Sequence, residues 1–402
     1  MEASGGRPQF GSDEYRARVG EVAEGIRRRG LDAVVAWSRG GGTLDGHANV
    51  LWLTGYYNPW LAVPDSQCWS GQSYAAVIVT AEQECVLVTN VPEGEWAGSG
   101  VVCDAFVDEP FIHLGVAGAL RARNLEAGRL GLAGREVLSV ALHDQLRAAL
   151  PSATLVAADE VMLDARRPVR EAELDVIRQV GSVADRTMEA MLRAAIPGAS
   201  ERDAARAAYV ATIDAGGTPY SLSLATGPAE DRYCPSTLPN WSTRTLAEGD
   251  LWHVDLAGTY AGYLFDFART TVVGDRPSSV QQAMMEGAIA IVDAVIARIE
   301  PGRPIGDAVA AGHAVQRGLA PPAPAPTKHD YPHLGHTLGL GFGDIWLYEN
   351  ERRPFTTGMY LAVEAVVPGE GHGFAMFEQN LIVGEEGPEL VTKCAKRPWE
   401  AA

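Results

Sequence analysis

The chain has 402 residues, with 33 Lys and Arg against 51 Asp and Glu, for a formal net charge of −18. At roughly 100–200 residues per domain this length implies two or three domains, and 47% apolar with 21% charged residues is the composition of a folded globular chain. The acid excess excludes nucleic acid as the main partner, because phosphate binding needs a basic face, and argues against an anionic membrane surface as well.

The opening MEASGGRPQFGSDEYRARVG has no apolar core, so it does not read as a secretory signal. No stretch approaches 18 uncharged apolar residues. The five cysteines (Cys68, Cys85, Cys103, Cys234, Cys394) are odd in number and contain no CxxC pair, which predicts neither a disulfide framework nor a thiolate metal site. A cytoplasmic location is the expectation.

Val19, Val22 and Ile26 recur at intervals of three and four within Tyr15 to Arg29, predicting a helix that Gly30 stops. LDAVVAW reads as a buried strand. NVLWLTGY, SYAAVIVT and CVLVTN read as short β-rich runs, and GRLGLAG leads to a helix near Val137–Leu150. This alternation predicts an α/β first domain. Pro151 and Pro168 bracket its end, placed here at residue 164, with a second domain over 165–402. The second domain opens with a long amphipathic helix (REAELDVIRQVGSVADRTMEAMLRAAI) that Pro197–Gly198 ends. ERDAARAAYVATIDAG is a further helix, and Val280 to Ile299 another. LAPPAPAPT, from Leu319 to Thr327, reads as a surface loop.

The chemistry is concentrated in two hairpins. In HVDLAGTYAGYLFDFARTTVVG, a turn centred on Tyr260 and Ala261 would set Asp255 directly opposite Asp266, with Cβ atoms about 5 Å apart. In LAVEAVVPGEGHGFAMFEQNLIV, symmetry about Gly371 puts Glu364 and Glu378 on one face. Carboxylates held so close repel unless a cation or proton sits between them, and a Glu in so apolar a run is costly to bury unpaired. Between the hairpins, HLGHTLGLGFGD places His333 and His336 beside glycines, and His336 is a natural fifth ligand. Four carboxylates and one imidazole suit two divalent ions such as Mn, Fe, Co or Zn. Two such ions would activate a water at neutral pH.

On these residues the chain resembles the pita-bread metalloenzymes, a superfamily of Xaa-Pro peptidases (prolidases), methionine aminopeptidases, creatinases and related lyases. The ordered set Asp255, Asp266, Gly335-His336, Glu364 and Glu378 carries the resemblance. YRARVGEVAEGIRRRGLDAVVAW and NVLWLTGY resemble the creatinase/prolidase N-terminal domain. The implied fold is α+β: an N-terminal α/β creatinase-like domain followed by a pita-bread catalytic domain. The resemblance implies that Asp255 binds one metal, that Asp266 and Glu378 bridge both, and that His336 and Glu364 complete the other.

The departures from the family pattern are as informative. The usual His seven residues after the ligand His is Gly343, although the acid that follows is kept as Asp344. The second catalytic His of the family falls at Tyr233 or Cys234, and Pro235 favours Tyr233. The usual Arg before the last ligand is Met376, and the usual Asp after it is Gln379. General acid–base groups contribute about 10²- to 10⁴-fold each, so an ordinary peptidase lacking both histidines would be slow. Tyr233, Asp344 and His333 are the candidate replacements. His253, two residues before Asp255 on the same face, is a candidate substrate contact. So are Trp60 and Trp69, which in dimeric relatives would reach a neighbouring subunit's site.

The expectation is a dinuclear-metal hydrolase of a C–N bond in a small molecule or short peptide, working as a homodimer. The alternatives are a metal-dependent lyase acting by β-elimination, as in relatives that cleave dimethylsulfoniopropionate, and a non-catalytic binding protein on the same fold.

Overall fold

The computed structural model describes residues 10–40, 46–60, 73–95, 99–227, 239–274, 276–319, 332–369 and 372–400. The chain divides into two compact units, residues 1–168 and 169–402.

The first unit contains α1 (Ser12–Arg28), β1 (Ala33–Arg39), α2 (Ala48–Thr54), β2 (Tyr74–Thr80), β3 (Cys85–Thr89), β4 (Ala105–Asp108), α3 (Ile112–Arg121), β5 (Arg129–Ala133), α4 (Val140–Ala149), β6 (Thr154–Ala157) and α5 (Asp159–Arg166). The strands form one mixed sheet in the order β4-β3-β2-β1-β5-β6. Its central strands are buried on both faces and so read as continuous apolar runs rather than alternating ones. Val35, Trp37, Ile78 and Val86 pack there against Val116 and Leu120 of α3 and Leu142 and Leu146 of α4.

NVLWLTGY corrects one expectation. It folds as the helix α2, ended by Gly55 in a left-handed conformation at φ 75°. The Ser38 hydroxyl accepts the Val50 N–H and donates to the His47 carbonyl, tying the helix start to β1. The Thr54 hydroxyl donates back to the Val50 carbonyl. A tertiary anchor thereby overrides the strand preference of Val50, Trp52 and Thr54.

The second unit contains α6 (Glu171–Ala194), α7 (Glu201–Asp214), β7 (Thr218–Gly227), β8 (Leu251–Tyr260), β9 (Tyr263–Val272), α8 (Ser279–Ile296), α9 (Ile305–Arg317), β10 (His336–Gly339), β11 (Gly341–Trp346), β12 (Tyr360–Gly369), β13 (Gly373–Gly384) and β14 (Gly387–Leu390). Two antiparallel sheets, β7-β8-β9 and β11-β10-β12-β13-β14, carry the long hairpins. The capped helices α7 and α8 begin with Ser200 and Ser278, whose hydroxyls accept N–H groups of the first turn. α8 is long and apolar enough to cross a bilayer by composition, but half of it is buried in this unit. Its Met285, Ala288, Ile289 and Val292 pack with Leu361, Val363, Ala375 and Phe377 of β12 and β13, which fixes the back of the hairpin that carries Glu364 and Glu378.

Candidate metal centre

The β8–β9 register differs from the expected one. Tyr260 pairs with Tyr263, which leaves Ala261 and Gly262 as a two-residue turn with φ of 55° and 89°. Positive φ at both central residues is the type I′ geometry, whose twist suits a tight hairpin. Asp255 therefore lies opposite Ala268, and Asp266 lies opposite Ala257. The two aspartates share a face as diagonal neighbours, roughly 7–8 Å apart at the backbone, rather than as a directly opposed pair. Across β12 and β13, Glu364 pairs directly with Glu378.

These hairpins bring one cluster together. Asp266, His336 and Glu378 offer ligand atoms that all lie within 4.8 Å of one another. His336 Nε2 is 3.3 Å from Asp266 Oδ2 and 4.0 Å from Glu364 Oε1. Nδ1 of His336 lies 3.2 Å from the Thr337 carbonyl. A carbonyl can only accept, so Nδ1 carries a proton, while Nε2 faces the carboxylates, donating to Asp266 when the ring is protonated and offering its lone pair to a cation when the ring is neutral. Asp255 is half-buried on the same face as Asp266.

The electrostatics mark a site short of positive charge. Burial, reinforced by Asp266, Glu364 and Asp255, pushes the Glu378 carboxyl well above its ordinary range. Burial pushes Glu364 up to about 7, with His336 offsetting part of this and Asp266 adding to it. Burial pulls His336 down, but its hydrogen bond to Asp266 and the nearby carboxylates outweigh that and raise it. Both Glu378 carboxylate oxygens are buried with no hydrogen-bond partner among the described residues. An orphaned buried carboxylate is expensive, and a cation at this point satisfies both oxygens at once. The oxygen-rich donor set with one imidazole fits divalent ions.

The backbone behind the cluster is held by polar contacts that sequence reasoning missed. Arg269 is fully buried between the rings of Phe267 and Phe377, each 4.3 Å from the guanidinium. It donates to the carbonyls of Ala268, Glu378, Cys394 and Ala395. Burial lowers its pKa to about 10, so it remains a cation at neutral pH. The Asn380 amide donates to the Asp266 carbonyl, joining β13 to β9. Tyr360, also buried, donates to Asn380 Oδ1. A single Arg three residues after a ligand Asp was the available signal.

His333 sits beside the cluster, its Nδ1 3.4 Å from Glu364 Oε1, with its ring 4.6 Å from Trp346. Burial and the neighbouring His336 pull it down to about 4, so this contact is made by a neutral imidazole. His253 is enclosed, its ring 4.1 Å from Phe374, and burial alone lowers it to about 3. Asp344 pairs with Arg353 at 3.5 Å. A Cβ at Gly343 would lie 1.9 Å from Thr337 Oγ1, so no side chain fits there as the strand stands. Trp60, in the first unit, is 48% exposed, and its backbone N–H donates to Asn58 Oδ1. Tyr233 and Trp69 lie outside the described residues.

Comparison with known proteins identifies the families that the chain resembles. The family model for metallopeptidase family M24 matches residues 175–385, and the creatinase/prolidase N-terminal domain matches residues 18–167. A probable dipeptidase PepE of Mycobacterium tuberculosis is 28% identical over 248 residues, covering 60% of this chain and 62% of that protein. An Xaa-Pro dipeptidase of Pyrococcus furiosus is 24% identical over 245 residues, 58% of this chain and 66% of that protein. The chain thus spans less than two thirds of the length of these curated relatives. The prolidase structure from Pyrococcus horikoshii OT3 superposes with a TM-score of 0.76 at 19% identity, covering 94% of this chain and 99% of that one. At that identity the likeness speaks for the fold.

Proposed function

The chain belongs to metallopeptidase family M24, its catalytic unit preceded in sequence by a creatinase/prolidase-type unit, and on that premise we propose that it is a divalent-metal-dependent hydrolase cleaving the C–N bond of a dipeptide-sized amide. The observation that carries this reading is the pair of orphaned Glu378 oxygens beside Asp266 and His336, with Glu364 in direct opposition. Asp255, Asp266, His336, Glu364 and Glu378 would hold two ions. Bound divalent ions supply Lewis acidity and an activated water at neutral pH. The probable dipeptidase and Xaa-Pro dipeptidase among the relatives support Xaa-Pro dipeptides as the first substrates to offer.

The chain's own residues would divide the remaining work in an unusual way. His333, beside Glu364 Oε1, is one proton-handling candidate; burial keeps it neutral at pH 7, which makes it a weak base better suited to hydrogen bonding than to holding a proton. Asp344 stands where the acid of the family's His-acid pair is expected, and Arg353 holds its carboxylate in place. Tyr233 is the third proton-handling candidate. With the histidine at position 343 absent, turnover falls below that of a peptidase carrying both. We further propose a homodimer, which light scattering on the purified chain decides.

Elemental analysis of protein purified without chelator, repeated on Asp266→Ala, tests the reading. About two divalent ions per native chain, lost in the variant, together with release of free proline from Xaa-Pro dipeptides, is the expected result. No ion after reconstitution overturns it. An alkene product in place of hydrolysis would replace it with β-elimination.

A further inference from the structure

The strand β11 does something at this site that the ligand set does not explain. Trp346 pairs with His336 across the β10–β11 hairpin, and the ladder then shifts register before Leu338 pairs with Phe342. The shift sets Phe342 opposite Leu338, two residues nearer to His336 along the ladder than regular pairing would place it. Its ring lies 5.2 Å from that of His336, and the Trp346 ring lies 4.8 Å away on the same imidazole. Trp346 also packs on His333. His336 is itself buried, yet Phe342 is 46% exposed. A half-exposed aromatic ring therefore borders a buried candidate ligand.

We propose that Phe342 is a specificity-determining residue, and that the wall it forms with Trp346 receives an uncharged, apolar substituent next to the scissile bond, an aromatic one most favourably. This rests on the hydrolase reading above. The chemistry of the wall supports the choice. Position 343 cannot project a polar side chain, because the Thr337 hydroxyl fills its space while bonding to Ile345. Asp344, the next residue, is engaged with Arg353, which Glu351 also holds at 2.7 Å. Strand β11 thus faces the ligand imidazole with rings, and its charged neighbours are already matched. A bound phenyl group would cover Phe342 and gain both area burial and an offset or edge-on ring pair. A charged substituent would lose hydration against the wall with nothing to replace it.

The test is calorimetric binding of Phe-Pro, Ala-Pro, Lys-Pro and Glu-Pro to the metal-loaded chain, native and Phe342→Ala, with turnover measured in parallel. Native protein is expected to bind Phe-Pro about tenfold more tightly than Ala-Pro. Phe342→Ala should bring that ratio close to one while barely moving the melting temperature, since the ring is exposed. Phe342→Leu should retain part of the preference. An unchanged ratio in Phe342→Ala, or tighter binding of Lys-Pro or Glu-Pro than of Phe-Pro, or no binding at all, overturns the proposal. Discrimination in binding without turnover would sink the hydrolase reading and leave the wall standing. Turnover without discrimination would do the reverse.

Discussion

Glu364 and Glu378 face each other directly across the β12–β13 hairpin, and burial raises the pKa of both. In the metal-free chain this makes neutral pH unfavourable. Between its ordinary value of 4.5 and its folded value of about 7, Glu364 holds more proton folded than unfolded. Stability is therefore lost as pH rises through that window, by on the order of 3 kcal/mol. Glu378 and the raised His336 act with the same sign. The lowered His253 and His333 act with the opposite sign, and their stability is lost as pH falls below 6.5. Melting curves of chelated protein are thus expected to peak between about pH 4.5 and 6.5 and to decline above it. Divalent ions should abolish the decline on the neutral side, because they replace the protons. A chelated protein that gains stability from pH 6.5 to 8 would contradict this.

Glu378→Gln separates metal binding from folding. The amide removes the buried charge while keeping the shape. At pH 8 the metal-free variant should melt at or above the metal-free native protein, and it should lose bound metal by elemental analysis. A variant that melts far lower would mean that Glu378 is satisfied by the protein alone.

Arg269 makes its stabilising contribution through several carbonyls at once. Truncating a buried, multiply hydrogen-bonded cation costs about 3–5 kcal/mol. Arg269→Gln should therefore lower the melting temperature by roughly 10 °C, and Arg269→Lys should recover only part, since an ammonium lacks the planar fork. Thermal denaturation followed by circular dichroism measures both.

Much of this was legible beforehand, and the exceptions have physical causes. Glu364 and Glu378 could be paired from sequence because their hairpin is symmetric about a glycine-rich centre, with Gly369 opposite Gly373. For Asp255 and Asp266 the sequence predicts the right face but a pairing two residues out of register, because an alanine adopts the left-handed conformation that glycine or asparagine usually takes. α2 is too short for helical periodicity to outweigh its β-branched and aromatic content. α9 was missed because Gly306 and Gly312 lower its helical signal. The structure needs both: a Cβ at 306 would lie 2.3 Å from the Glu349 carbonyl, and one at 312 would lie 2.5 Å from Leu334. The aromatic wall has no sequence motif, because a register shift brings Phe342 alongside His336.

Gly343→His tests whether the missing imidazole can simply be restored. Its Cβ would collide with Thr337 Oγ1, so the strand must move, at a cost of about 1–3 kcal/mol or more. The variant is expected to melt several degrees lower without gaining activity on Xaa-Pro dipeptides. Faster turnover at unchanged stability would show that β11 accommodates a histidine after all.

The Ala261-Gly262 turn sets the relation of Asp255 to Asp266, so its chemistry bears on the site. Ala261 holds φ 55°, a left-handed conformation that costs an L-residue with a Cβ roughly 1–2 kcal/mol. Asparagine tolerates it best of the residues with side chains, and Asn-Gly is the preferred type I′ pair. Ala261→Asn should therefore stabilise the catalytic unit by about 1 kcal/mol with metal content unchanged, because the register is preserved. Ala261→Val places a β-branched residue in the same conformation and should cost about 1–3 kcal/mol. If that strain shifts the pairing by one residue, Asp255 turns to the opposite face and leaves Asp266 behind. Metal content would then fall together with stability in Ala261→Val and in neither respect in Ala261→Asn. Equal melting temperatures for the two variants would mean that the turn does not set the register.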